Sequence, residues 1–127
     1  MTLRRAATVG FLATSKPDAA REFFRDGLGL ELEAEDGFAI MFATASGPLR
    51  VQKLDAVAPQ PFTVFGWTVA NARRMVRQLT RRGVRFERFP FMPQDEDGIW
   101  VAPSGTKVAW FKDPDGNILS ISELAGD

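Results

Sequence analysis

The stretch from Ala109 to Ser122, Ala-Trp-Phe-Lys-Asp-Pro-Asp-Gly-Asn-Ile-Leu-Ser-Ile-Ser, constrains the fold more than any other part of the chain. Pro114 presets the first central position of a type I turn, Asp115 suits the second, and Gly116 supplies the positive φ that closes a three-residue loop with a bulge. With that loop in place, Asp113 faces Asn117, Lys112 faces Ile118, Phe111 faces Leu119 and Trp110 faces Ser120. Trp110 and Ser120 therefore share one face of a sheet.

The remaining elements follow from hydrophobic periodicity. Ala6 to Ala13 reads as a buried strand, and Pro17 opens a helix whose apolar positions are Ala20, Phe23, Phe24 and Leu28, with Gly27 and Gly29 able to end it. Leu30 to Ala34 alternates as a half-buried strand, with Glu31, Glu33 and Glu35 facing water; strands over Phe38–Ala43 and Leu49–Leu54 follow. Asp55 to Pro61, with Pro59 and Pro61, reads as a linker. The order then repeats: a strand over Phe62–Val69, a helix over Asn71–Arg82, a strand over Val84–Phe89, a long loop, and strands over Lys107–Lys112 and Asn117–Glu123. Sliding the chain by 69 residues lays 39–47 over 108–116, and a slide of 54 lays Gly29-Leu30 over Gly83-Val84. These matches and the repeated order predict two βαβββ modules of about 60 residues each, in an α+β fold whose curved mixed sheet surrounds a cavity. Module one spans about 1–55, the linker 56–61 and module two 62–127 of a single domain.

Composition bounds the chemistry. The chain has 127 residues, 45% hydrophobic and 25% charged, which is ordinary for a globular domain and allows one substantial core. Sixteen basic residues balance sixteen acidic ones. No net field therefore favours nucleic acid or another polyanion, and the expectation is no nucleic-acid partner. No apolar run reaches the length of a membrane span and the first residues lack the apolar core of a signal peptide, so the expected setting is cytoplasmic with no membrane partner. There is no cysteine and no histidine. Thiolate nucleophiles, zinc–sulfur sites, His-based triads and His-based metal centres are thus outside this chain's repertoire.

Three segments together resemble the vicinal-oxygen-chelate superfamily, also called the glyoxalase/bleomycin-resistance/dioxygenase family: Phe23-Phe24-Arg25-Asp26-Gly27-Leu28-Gly29-Leu30, Arg81-Arg82-Gly83-Val84-Arg85-Phe86-Glu87, and Phe111-Lys112-Asp113-Pro114-Asp115-Gly116-Asn117. The resemblance covers essentially the whole chain. It implies a fold rather than one activity, because similar chains include isomerases, dioxygenases, epimerases, thiol transferases and drug-sequestering proteins. Enzymes of the family hold a divalent metal with His and Glu from the first and last strands of each module. Counting from the glycines, those places fall on Val9, Val64 and Ser120, with Val51 in the first module, or Gln52 after a one-residue slip. Alkyl groups and a neutral hydroxyl do not replace imidazole or carboxylate, so the resemblance implies a member without the usual metal ligands, and no cofactor is expected.

By alternation, Phe11 joins Val9, Gly66 and Thr68 join Val64, and Ile118 and Ser122 flank Ser120. The candidate ligand-binding set is Val9, Phe11, Val64, Thr68, Trp100, Trp110, Ser120 and Ser122, with Trp110 as a stacking plate. The competing reading is that Phe11 and Trp110 merely fill the space. Trp67 is assigned to the core under the second helix, the arginines of that helix and Asp95, Glu96 and Asp97 to water, Asp113 and Asp115 to the turn, and Ser15 and Asn71 to helix caps. The aromatic loop 88–105 reads as a lid or as a contact with a second subunit. The leading functional expectation is a metal-independent protein that binds a small aromatic or amphipathic ligand, similar to the bleomycin-resistance and drug-sequestering members, and a homodimer like relatives of this size. The alternative is a metal-free lyase or isomerase using Glu123, Glu87 or Asp97 as base, and a third reading is a structural dimer with a self-filled cavity.

Overall fold

The computed structural model describes residues 2–126, and the chain divides after Ala58 into two units. Each contains one four-stranded mixed sheet, in the same order of elements. The first has β1 (Gly10–Thr14), α1 (Pro17–Glu22), β2 (Glu31–Glu35), β3 (Ala39–Thr44) and β4 (Gly47–Lys53), with sheet order β1-β4-β3-β2. The second has β5 (Thr63–Thr68), α2 (Ala72–Arg81), β6 (Trp100–Val101), β7 (Lys107–Lys112) and β8 (Ile118–Glu123), ordered β5-β8-β7-β6. In both, the first and last strands pair in parallel and the others antiparallel. This is the expected α+β pair of βαβββ modules.

In the first unit, Pro17 occupies the opening of α1, where its missing N–H costs nothing, and a π turn over Phe23–Gly27 continues the helix. Gly29, at φ 77°, then lets the chain reverse into β2. The cap at the start of α1 differs from expectation. Lys16 rather than Ser15 is the capping residue, and the buried Thr14 hydroxyl accepts the Lys16 N–H at 3.0 Å. Phe24, Ile40, Phe42, Leu49 and Val51 are fully buried, with the Phe24 and Phe42 rings 5.5 Å apart. Glu35 does not simply meet water. Arg21 Nη2 and Lys53 Nζ lie 2.5 and 2.8 Å from its carboxylate, and these two cations lower its pKa to about 2.

In the second unit, the Asn71 side chain accepts the Arg74 N–H and caps α2 as its residue type predicts. Ala72, Val76 and Leu79 bury one stripe of the helix, and Ala109, Phe111, Leu119 and Ile121 form the buried face of the sheet. Trp67 is half-buried beside Ile121 and stacks on Phe111 with ring centres 6.4 Å apart, so it borders the core rather than lying within it. The hairpin has the expected register, Trp110 opposite Ser120, and Asp113 accepts the N–H groups of Asp115 and Asn117 from inside the turn. The predicted strand over 84–89 does not form. Phe86 makes an isolated bridge to Phe111 and Glu87 N–H reaches Trp110 O, while Trp100–Val101 takes the rest of the β7 edge. One edge is thus served by two short pieces, and the residues between them loop out.

Candidate functional site

The pleat of the second sheet sends alternate side chains to the face opposite its buried one. On that face, Trp110 lies beside Ser120 and Ser120 beside Gly66; one row along, Trp100 pairs with Val108, Val108 with Ser122 and Ser122 with Thr68. Five of the expected residues, Thr68, Trp100, Trp110, Ser120 and Ser122, are therefore brought together. Trp110 is half-buried and is the centre of an aromatic group. Trp100 lies 6.0 Å away at 34°, and Phe89 meets it edge-on at 5.6 Å and 82°. The indole N–H of Trp110 donates to the Thr63 hydroxyl at 3.0 Å, which fixes the ring.

Ser120 is packed tightly from one side. A Cβ placed on Gly66 would lie 2.4 Å from the Ser120 hydroxyl oxygen and 3.0 Å from its carbonyl oxygen, so only hydrogen fits there. Ser120 is 9% exposed, and among the described residues its hydroxyl makes no hydrogen bond. It is a donor and acceptor without a protein partner, beside an aromatic plate.

Val64 has no cross-strand position in the β5–β8 ladder. The pairing of β5 with β8 shifts between Thr63 and Phe65, leaving Val64 in a bulge, and Thr63 rather than Val64 reaches Trp110. Sequence reasoning missed Thr63 for that reason. It also left Phe89 out of the set, although the density of aromatic residues in 88–105 was the available signal.

The segment that carries Phe89 is tied down. Gln94 accepts the Phe89 N–H and donates to the carbonyls of Glu87 and Gly98, and Asp95 accepts the N–H groups of Asp97 and Ile99. Arg73 spans Asp95 and Asp97, and Arg77 adds a contact to Asp97. The expectation of free arginines and a free acidic tip is corrected for these four side chains. Burial disfavours the ionised form of Asp95, but the N–H donors of Ile99 and Asp97 and the Arg73 guanidinium outweigh it and leave its pKa lowered.

The first unit presents its own row. Phe11 pairs with Arg50 and Arg50 with Met41; Ala13, Gln52 and Ala39 form the next. Val9 precedes β1 and, like Phe11, is exposed. Val51 is fully buried on the other face, alongside Leu12 and Ile40. The β3–β4 hairpin turns through two residues where β7–β8 uses three. In consequence Arg50, not Val51 or Gln52, holds the strand position that Ser120 holds in the second unit.

The carboxylates that an enzymatic reading would use are already occupied. Glu123 accepts the Ala72 N–H at the start of α2, Glu87 lies 3.8 Å from Lys112, and Asp97 is paired with both arginines. Asp113, whose pKa burial raises, spends its oxygens on the turn. The donor set also does not suit the divalent metal used by enzymes of this fold. The relevant places carry Val9, Val64, Ser120 and Arg50, of which the last repels a cation, and among the described residues no three acids cluster.

Two βαβββ units, each with its first and last strands paired in parallel, define a class of fold before any sequence is compared. The chain belongs to the Glyoxalase/Bleomycin resistance protein/Dioxygenase superfamily, which it matches over residues 5–121. Among solved structures it is similar to a glyoxalase/bleomycin resistance protein/dioxygenase from Alicyclobacillus acidocaldarius, at 18% identity and a TM-score of 0.72, covering 100% of this chain and 97% of that one. It is also similar to a lactoylglutathione lyase from Agrobacterium tumefaciens, at 20% identity, 0.67, and 96% of each chain. A bleomycin resistance determinant encoded on the transposon Tn5 shares 16% identity at 0.70, over 92% of this chain and 96% of that one. These likenesses show the fold. Comparison with curated proteins finds no match, and among the described residues no helix is long and apolar enough to cross a membrane.

Proposed function

We propose that this chain is a metal-independent small-molecule binding protein that holds an aromatic or amphipathic ligand. The observation that carries the reading is the partly exposed group of Trp110, Trp100 and Phe89 beside a Ser120 hydroxyl with no partner of its own. A flat ligand on Trp110 gains stacking and apolar burial, worth about 25 cal/mol per Å² of apolar surface removed from water, and Ser120, Ser122 or Thr68 orient it by hydrogen bonding. Val64, in the same unit, is read as a further apolar contact. A chain of this kind supplies affinity and needs no base, in keeping with the engagement of Glu123, Glu87 and Asp97. Pairing as a homodimer belongs to the same reading, supported by the exposure of Phe38 and Phe91, and light scattering at about twice 14.0 kDa checks it.

The test is a titration of planar aromatic compounds, followed by tryptophan fluorescence and paired with elemental analysis of the purified protein. Saturable quenching at micromolar concentration, lost in Trp110→Ala, is the expected result. Stoichiometric zinc, nickel, iron or manganese, or quenching unchanged in Trp110→Ala, overturns it.

A further inference from the structure

We infer that the ligand carries a neutral hydrogen-bond acceptor at one edge, a carbonyl oxygen or an aromatic nitrogen, and that the Thr63 hydroxyl, in the same unit as Trp110, is the group that reads it. The inference deepens the binding reading and rests on it.

Thr63 reaches the aromatic face only because β5 carries a bulge. Alternation back from Trp67 and Phe65, which pair with Ile121 and Leu119, would send the Thr63 side chain to the buried side of the sheet. The extra residue, Val64, reverses that count and sets Thr63 opposite Ile118, on the side that Trp110 occupies. A bulge re-aims one side chain in this way. Here it delivers an exposed threonine hydroxyl to the indole N–H of Trp110, which donates to Oγ1 at 3.0 Å. Among the described residues that hydroxyl makes no second hydrogen bond, so its own hydrogen is unspent.

The pairing changes what Trp110 offers to a molecule lying on it. An indole has one N–H donor and no acceptor, and that donor is taken, so the ring presents its face while the polar atom at its edge is Thr63 Oγ1. Accepting a bond from the indole polarises the hydroxyl and strengthens it as a donor, as in other hydrogen-bonded chains. A ligand stacked on Trp110 with an acceptor overhanging the indole nitrogen completes a chain from Nε1 through Oγ1 to itself. Ser120 does not duplicate this role, because it is 9% exposed, its hydroxyl is pressed against Gly66, and no donor polarises it. The row of Thr63 runs through Ile118 to Lys112, whose ammonium lies 3.8 Å from the Glu87 carboxylate. With that charge answered, the row favours a neutral acceptor over an anionic one.

The experiment uses quinoline, which has a nitrogen at one edge, and naphthalene, which has the same shape without it, at a pH where quinoline is neutral. Both are titrated into the intact chain, Thr63→Val and Thr63→Ser while the indole N–H signals are followed by NMR, the Trp110 signal being the one lost in Trp110→Phe. The unaltered chain should bind quinoline about fivefold more tightly than naphthalene, the order of one neutral hydrogen bond. Thr63→Val, which keeps the shape and loses the hydroxyl, should bind both at the affinity of naphthalene, and its Trp110 N–H should exchange faster with water. Thr63→Ser should restore the preference. Thermal unfolding of each variant verifies that it is folded, and the comparison of probes in the unaltered chain needs no variant. Equal affinities there, or a preference that survives Thr63→Val, would overturn the assignment of Thr63 while leaving aromatic binding intact. Equal weakening of both probes in Thr63→Val would overturn it too, since Thr63 would then only hold the ring. Failure of both probes to bind would remove the binding reading and this inference with it.

Discussion

At the scale of single residues, Gly66 and Ser120 form the tightest constraint in the second sheet. The 3.0 Å approach of the Ser120 carbonyl to the place of a Gly66 Cβ is backbone and does not yield by rotation, whereas the 2.4 Å approach of the hydroxyl does so in part. Gly66→Ala should therefore destabilise the chain by about 1–3 kcal/mol, the usual cost of overpacking. In a Ser120→Ala background the same change should cost less, and a urea double-mutant cycle measures the difference. Equal costs in both backgrounds would show that the hydroxyl is not part of the clash. Trp110 opposite Ser120 was legible in the sequence because Pro114, Asp115 and Gly116 leave the turn only one length. Val64 was not, because a bulge adds one residue to β5 and reverses the alternation counted from either side.

The elements differ in how far local signals decide them. Helix α2 is fixed by its own residues: Asn71 caps it and its apolar stripe is the one that periodicity gives. Asn71→Ala should lower stability by about 1 kcal/mol, seen as a shift of the urea midpoint without a change of slope. The segment between α2 and β7 is fixed instead by side chains that reach across it. Gln94 alone satisfies one N–H and two carbonyls, so no periodic pattern announces the loop, and Val84–Phe89 reads as a strand only while Gln94 is ignored. Gln94→Ala should speed amide hydrogen exchange across residues 88–99 and leave β8 protected. Uniform acceleration through the second unit would mean that the segment is not a separate cooperative piece.

For the molecule as a whole, the balanced charge conceals a directional response to pH. The folded chain holds Glu35 at about 2 against an ordinary value of 4.5, because Arg21 and Lys53 stabilise its charged form, and Asp36 and Asp95 are lowered as well. Groups lowered in this way stabilise the fold above their unfolded pKa and cease to do so as pH falls through the folded one. Asp113 acts in the opposite sense, since burial raises it and the folded state then binds its proton more tightly. Stability should thus decline from about pH 4.5 toward pH 2, less steeply in Glu35→Gln and less steeply at high salt, and thermal unfolding across that range tests this. The duplicated architecture itself was readable from the recurring order of elements.

The unequal turns, Ala45-Ser46 in one hairpin and Pro114-Asp115-Gly116 in the other, have a practical outcome for anyone recombining the two halves. A chimera that transplants the last strand of one half into the other by constant spacing would present its core side outward, exchanging a valine for the guanidinium. Graft boundaries must carry the donor's own turn with the strand, or place a one-residue gap there.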